Sequence, residues 1–318
     1  MRVNLNKTLI SIAFFMLPLT SLIAKTDTIT NGKQVIKVDY SYKFNRSELQ
    51  QTEQWLKDVT DSLLMVYGEW PKDEFEIIVK STHRGRGPVP WGQVNRDDPN
   101  RVSLFINPDY GFDAVSDDWT AYHELSHLLI PYRGYGDLWI SEGLASYYQN
   151  IIQARSGMLN ERQFWNKLIS GFERGKRQTN YSHLKLSKVS DNMRRYRNHM
   201  RVYWSGVLFW LTADLEIREQ SNNKQSLDSL LKQLKYCCEK RDMSSTSIMR
   251  KLDQLYGGKT FTPLFYKFRN SYKIPDYQPI LKSMGIEKSN RWSRLRINKN
   301  ARLANLSEQI FLGNLQKK

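Results

Sequence analysis

Two histidines four residues apart, His123 and His127, constrain this chain more than any other feature. Side chains at i and i+4 share one face only if the backbone between them is helical. In the segment His123-Glu124-Leu125-Ser126-His127 the two imidazoles then converge on one point, with Glu124 beside it. The same helix carries the apolar run Leu125, Leu128, Leu129 and Ile130, so its polar trio needs partners that offset the cost of burial. The next segment supplies one, Glu142, in Trp139-Ile140-Ser141-Glu142-Gly143-Leu144. His, His and Glu is a recurring ligand set of zinc sites that keep a fourth position for water, so the spacing points to one Zn2+ per chain held by His123, His127 and Glu142. The competing readings are a solvated helix face and a metal site without turnover.

Local signals give both helices their expected limits. Ser116 is a candidate N-cap for the first, Asp117 and Asp118 suit its positive end, and Pro131 closes it. Asp137 is a candidate cap for the second, which has an apolar face of Ile140, Leu144, Tyr147, Tyr148 and Ile151 and a stop at Gly157. Glu142 is expected in its first turn, facing back to the first helix.

These segments, with a later Tyr203-Trp204-Ser205-Gly206, resemble the gluzincin metallopeptidases. Residues 138–234 are most similar to the glycyl aminopeptidase family and more distantly to the alanyl aminopeptidases. Asp214-Leu215-Glu216-Ile217-Arg218 followed by Ser226-Leu227-Asp228 resembles the family's helix-turn-helix after its catalytic tyrosine. The resemblance implies that His123, His127 and Glu142 bind zinc, that Glu124 is the general base, and that Tyr203 stabilises an oxyanion. Each role is chemically sensible: a carboxylate takes a water proton and a neutral phenol stabilises developing negative charge. The implied function is zinc-dependent hydrolysis of peptide bonds, and the alternative is a gluzincin-like metal-binding or interaction module without catalysis.

The chain also departs from the family pattern. Aminopeptidases of these families present a glutamate to the substrate's free amine from a strand before the metal helix. Here that segment is Pro90-Trp91-Gly92-Gln93-Val94-Asn95-Arg96, with no acid before Asp97, and Ser205 stands where a lysine is usual. An edge strand over 91–95 could instead hold an extended peptide, with Trp91 and Gly92 as contacts and cleavage within the chain. His199, one helical turn before Tyr203, is a further candidate contact.

The first 24 residues read as a secretory signal: Arg2 and Lys7 precede an apolar run over 9–24, and cleavage is expected after Ala24. An uncleaved membrane anchor is the alternative. The expected location is periplasmic or secreted. The mature chain would hold 46 basic and 32 acidic residues, about +14, with basic blocks at 174–177, 194–201 and 288–302. An anionic envelope surface or acidic substrate suits that charge, alongside a peptide or protein substrate. No nucleic-acid-binding motif appears, so nucleic acid is not an expected partner. Cys237 and Cys238 are the only cysteines, and a bond between neighbours is geometrically unfavourable, which leaves no ordinary disulfide framework.

Strands are expected over 34–41, 74–81, 91–95 and 101–107, the last two paired through a turn at Asp97-Asp98-Pro99-Asn100. A helix is expected over 46–67, then a largely helical remainder over 161–172, 199–219, 227–237, 244–256 and 263–272, with a short strand near 303–311. The expected fold class is α+β: a thermolysin-like gluzincin catalytic domain, with a small mixed-sheet lobe (25–133), a helical lobe (134–287) and a basic tail (288–318), and its active site between the lobes. The family's large N-terminal β domain has no counterpart in the short stretch before residue 74, giving the expectation of a reduced version.

Overall fold

The computed structural model describes residues 23–131, 134, 136–239, 242–288 and 295–313; the expected signal segment falls outside it except for its last two residues. It begins with a hairpin, strand β1 (Ile23–Asn31) turning at Gly32 into β2 (Gln34–Phe44). The hairpin is antiparallel, and the positive φ of Gly32, 60°, fits its tight turn. Helix α1 (Arg46–Leu63) follows, capped by a reciprocal pair of hydrogen bonds between Asn45 and Glu48. It carries the chain over to β3 (Glu74–Ser81), which lies parallel to β2. Strand β4 (Trp91–Asn95) then pairs antiparallel with β5 (Asn100–Ile106), itself parallel to β3. The resulting order is β1-β2-β3-β5-β4, so β4 is an edge strand with its outer side unpaired in the sheet.

One face of this sheet is apolar. Ile36, Val38, Phe75, Ile77, Val79, Val102, Leu104 and Ile106 are buried at alternate positions, under Trp55, Leu56, Val59 and Leu63 of α1. Strand β1 gave no sequence signal because its Lys25, Thr26, Asp27 and Thr28 bury too little for an apolar alternation to show.

Helix α2 (Phe112–Ser116) and the metal helix α3 (Thr120–Ser126) come next. Ser116 therefore ends a helix instead of capping one, and the first amide of α3 is met by Asp118, whose Oδ1 accepts from Thr120 N at 2.7 Å. Helix α4 (Leu138–Arg155) starts at Asp137, which is left-handed (φ 49°) and makes no side-chain cap. Its carboxylate instead accepts from Trp139 Nε1 and Arg269 Nε. Glu142 consequently sits one residue beyond the first turn.

The helical lobe continues with α5 (Glu161–Arg177), α6 (Leu186–Asp191), α7 (Met193–Tyr196), α8 (His199–Gln220), α9 (Leu227–Cys238), α10 (Ser245–Tyr256), α11 (Phe261–Arg269) and α12 (Gln278–Ser283). A small hairpin of β6 (Ile286–Lys288) and β7 (Leu295–Ile297) precedes α13 (Ala304–Leu312). The strand expected near 303–311 is thus a helix: Leu306 and Ile310, four apart, are buried together, and a short apolar run does not itself reveal its period. Cys237 and Cys238, expected to lack an ordinary partner, are joined to each other.

Helices α4 and α8 form the axis of this lobe. Gly143 and Gly206 face each other so closely that a Cβ on Gly143 would lie 2.3 Å from Gly206 Cα. Beyond the crossing, Arg155 pairs with Asp228 at 2.9 Å and Arg218 with Asp214 at 3.0 Å, all four side chains almost fully buried. Tyr147 and Tyr148 donate to Asp214 and Asp228, so the charges are paired and hydrogen-bonded as burial demands. Asp214 also accepts from Leu227 N at the start of α9, which fixes the turn between α8 and α9. Among the described residues, no helix is long and apolar enough to cross a membrane.

Candidate metal centre

Helix α3 brings His123 and His127 to one face, and His127 keeps helical backbone angles although it opens a short 3-10 turn over His127–Leu129. Their rings lie 4.9 Å apart, nearly perpendicular. Glu142 reaches across from α4: its Oε2 is 3.3 Å from His123 Nε2 and 3.7 Å from His127 Nε2. The donor atoms of the three residues all lie within 4.8 Å of one another. Donors on a tetrahedral zinc at its usual bond lengths are roughly 3.4 Å apart, so the cluster fits one zinc ion by both chemistry and spacing.

A fourth residue orients the first. His123 Nδ1 lies 3.2 Å from Gln149 Oε1, and donation from Nδ1 leaves Nε2 free as a ligand. Gln149 was not apparent in sequence, although it stands seven residues after Glu142, two turns along the same face of α4. Burial alone would depress the His123 pKa, but the hydrogen bond and charge of Glu142 outweigh it and raise it above the ordinary 6.5. Burial would likewise raise Glu142, yet the charges of His127 and His123 and hydrogen bonds from His123 and Tyr203 hold it down to about 2.

Glu124 points to the same cleft. Burial, reinforced by the charge of Glu142, pushes its pKa up to about 7 against the opposing pull of His123 and Arg96. Gly92 makes room for it: a Cβ there would come 2.5 Å from Glu124 Cγ and 3.0 Å from Thr120 Cγ2. Strand β4 thereby lies directly over the carboxylate.

Tyr203, on α8, stacks on His123 with ring centroids 5.9 Å apart and hydrogen-bonds to Glu142. Burial first, then the charge of Glu142, hold its phenol protonated far above the ordinary value. Trp91 is half exposed at the mouth of the cleft and packs on Phe105 at 4.8 Å. His199 lies edge-on to Tyr203 with centroids 6.4 Å apart and is not among the residues lining the cleft.

The cleft has a volume of about 590 Å³ and runs between β4 and the helical lobe. Besides the groups above, its wall includes Arg86, Arg96, Asp118, Trp119 and Arg194; from sequence Arg96 was placed beside the site, whereas Asp118 was read as a helix-end acid and Arg194 as part of a basic block. Arg96 donates to the carbonyl of His127 at 2.7 Å and so braces the end of the metal helix. Asp97 lines a separate surface cavity that includes none of the three donors.

A mixed sheet, a helical lobe and a His-His-Glu cluster in the cleft between them are similar in fold and in donor set to the zinc metallopeptidases. The M61 glycyl aminopeptidase model matches residues 133–229, which include Glu142 and Tyr203. No curated protein sequence matches the chain significantly. The fold is similar to that of an aminopeptidase N family protein from Idiomarina loihiensis, with a TM-score of 0.62 and 17% identity over 83% of this chain and 49% of that one. It is also similar to a mutant two-domain M1 zinc metallopeptidase bound to L-arginine, with a TM-score of 0.52 and 14% identity over 80% of this chain and 53% of that one. Yeast LTA4 hydrolase in complex with bestatin matches with a TM-score of 0.51 and 14% identity over 79% of this chain and 40% of that one. The chain thus spans about half the length of the structures it matches, or less.

Proposed function

We propose that the protein is a zinc-dependent peptidase of the cell envelope or extracellular space that cuts bonds within peptide chains. The observation that carries the reading is the placement of Glu124 beside the three-donor cluster, under Gly92 and in line with an unpaired strand edge. His123, His127 and Glu142 would hold the ion, which when bound supplies Lewis acidity and lowers the pKa of water. Glu124 accepts the water proton at its carboxylate and can return it to the leaving amine. Tyr203 donates its phenol hydrogen to the oxyanion, and its high pKa keeps that hydrogen in place. Gln149 holds the His123 ring. The exported location rests on the basic, then apolar, pattern of residues 1–24.

Internal cleavage follows from the charges of the cleft. A free amino terminus needs a carboxylate partner, since an unpaired buried ammonium costs several kcal/mol. Segment 90–96 offers none, and the cleft's other acid, Asp118, is engaged by the amides of Thr120 and Val89. A peptide running antiparallel to β4 has no such requirement.

Metal analysis combined with a peptide-library digest tests this. The parent protein and Glu124→Gln are expected to hold one zinc and His127→Ala none, while only the parent cuts, acting on free and N-acetylated peptides alike. Hydrolysis by Glu124→Gln would remove the base, cleavage of free peptides only would make the enzyme an aminopeptidase, and a zinc-loaded parent that cuts nothing would leave a binding module.

A further inference from the structure

Tyr203 is shared by two cavities. On one side is the metal cleft; on the other is a cavity of about 460 Å³ whose wall includes Trp119, Gln149, Lys167, Arg174 and Trp204. Each contains an arginine with no carboxylate partner among the described residues: Arg194, from α7, in the metal cleft, and Arg174, from α5, in the side cavity. Arg174, an exposed residue, lies over the Trp204 ring at 5.1 Å, and Gly171 and Gly175 let that indole sit against α5. Arg194 and Tyr203 line the same cleft.

The acids nearby are already engaged. Glu142 belongs to the metal cluster, Glu124 faces it, and Asp118 accepts backbone amides. The side cavity has no acidic residue in its wall, and its second cation, Lys167, donates to Gln153 Oε1 at 3.2 Å. A substrate spanning Tyr203 therefore meets an unpaired guanidinium in either cavity. Carboxylates are the side-chain groups that complement a guanidinium best, through charge-assisted and often bidentate hydrogen bonds, whereas a lysine or free amine would be repelled.

We propose that Arg194 and Arg174 select peptides carrying carboxylate side chains on either side of the scissile bond, so that the substrate class is acidic peptides. This rests on the peptidase reading above, and the test keeps the two apart. In a library digest, Asp and Glu are expected to be enriched at the positions flanking the cut, and Arg194→Gln and Arg174→Gln each to erase the enrichment on one side. Independently, zinc-loaded Glu124→Gln is titrated calorimetrically with N-acetylated peptide amides of equal net charge, the single Glu lying either centrally or at one end. The central Glu should bind about tenfold more tightly, and adding either arginine substitution should shrink that ratio toward one. Positional preference in binding without any cleavage would sustain the recognition and defeat the peptidase reading. Cleavage with no acidic enrichment, equal binding of the two peptides, or ratios unmoved by both substitutions would overturn the proposal.

Discussion

Gly143 of α4 and Gly206 of α8 are in backbone contact, a Cβ on Gly206 falling 2.0 Å from the carbonyl oxygen of Trp139 and 2.6 Å from Gly143 Cα. Glu142 stands immediately before the first glycine and Tyr203 one turn before the second, so this crossing is what brings the phenol to the carboxylate. Gly206→Ala cannot be accommodated by a side-chain rotation, because the clash is with backbone. The expected cost is about 3 kcal/mol in chemical denaturation, with a matching loss of activity as Tyr203 moves off Glu142. Parent-like stability in this variant would mean that the helices do not meet at these residues.

Gly92→Ala should act more selectively. The added methyl meets Glu124 Cγ and Thr120 Cγ2, not the metal ligands, and β4 is an edge strand that tolerates a small adjustment. Zinc content and melting temperature should stay close to those of the parent, while a displacement of Glu124 by about 1 Å lowers turnover on the order of a hundredfold. Loss of zinc instead would place Gly92 in support of the ligands.

Tyr203→Phe removes one hydroxyl from a side chain whose ring still stacks on His123. Loss of a single oxyanion donor typically costs roughly a hundredfold to a thousandfold in kcat with little change in KM. Steady-state kinetics on one internally cleaved peptide decide it, and an unaltered kcat would make the tyrosine a packing residue.

Stability should depend on pH and zinc together. Without metal, the charged pair of His123 and Glu142 contributes in full above the ordinary carboxylate pKa of 4.5 and below the ordinary imidazole pKa of 6.5. That contribution fades as pH falls toward about 2, where Glu142 protonates, and as pH rises through the raised His123 pKa, where the imidazolium is lost. Zinc binds the neutral imidazole, so protons compete with it and its stabilising effect grows across the same rise. The increase in melting temperature at a fixed zinc concentration should be clearly larger at about pH 8 than at about pH 5.5. An equal increase at both would exclude His123 as a ligand.

Local pattern alone determined a good deal of this protein. The four-residue spacing of His123 and His127 works as one face because helical periodicity is set within a single turn, and Glu142 faces them from the next helix. Strand β3, with Phe75, Ile77 and Val79 at alternate positions, and the β4–β5 hairpin with its Asp-Asp-Pro-Asn turn were legible for the same reason. Tertiary structure decided what local pattern leaves degenerate. Asp118 rather than Ser116 meets the first amide of the metal helix, and residues 304–312 coil because Leu306 and Ile310 find a shared place in the core. Gln149 reaches His123, and Arg194 and Arg174 flank Tyr203, through distances set by how α4, α5, α7 and α8 pack. The basic blocks at 174–177 and 194–201 stood out in the sequence, but which of their arginines faces the cleft did not, because a glutamine or an arginine on a helix has the same local energetics whether it faces water or a metal cleft. Only packing, fixed here by the contact of Gly143 with Gly206, gives them different surroundings.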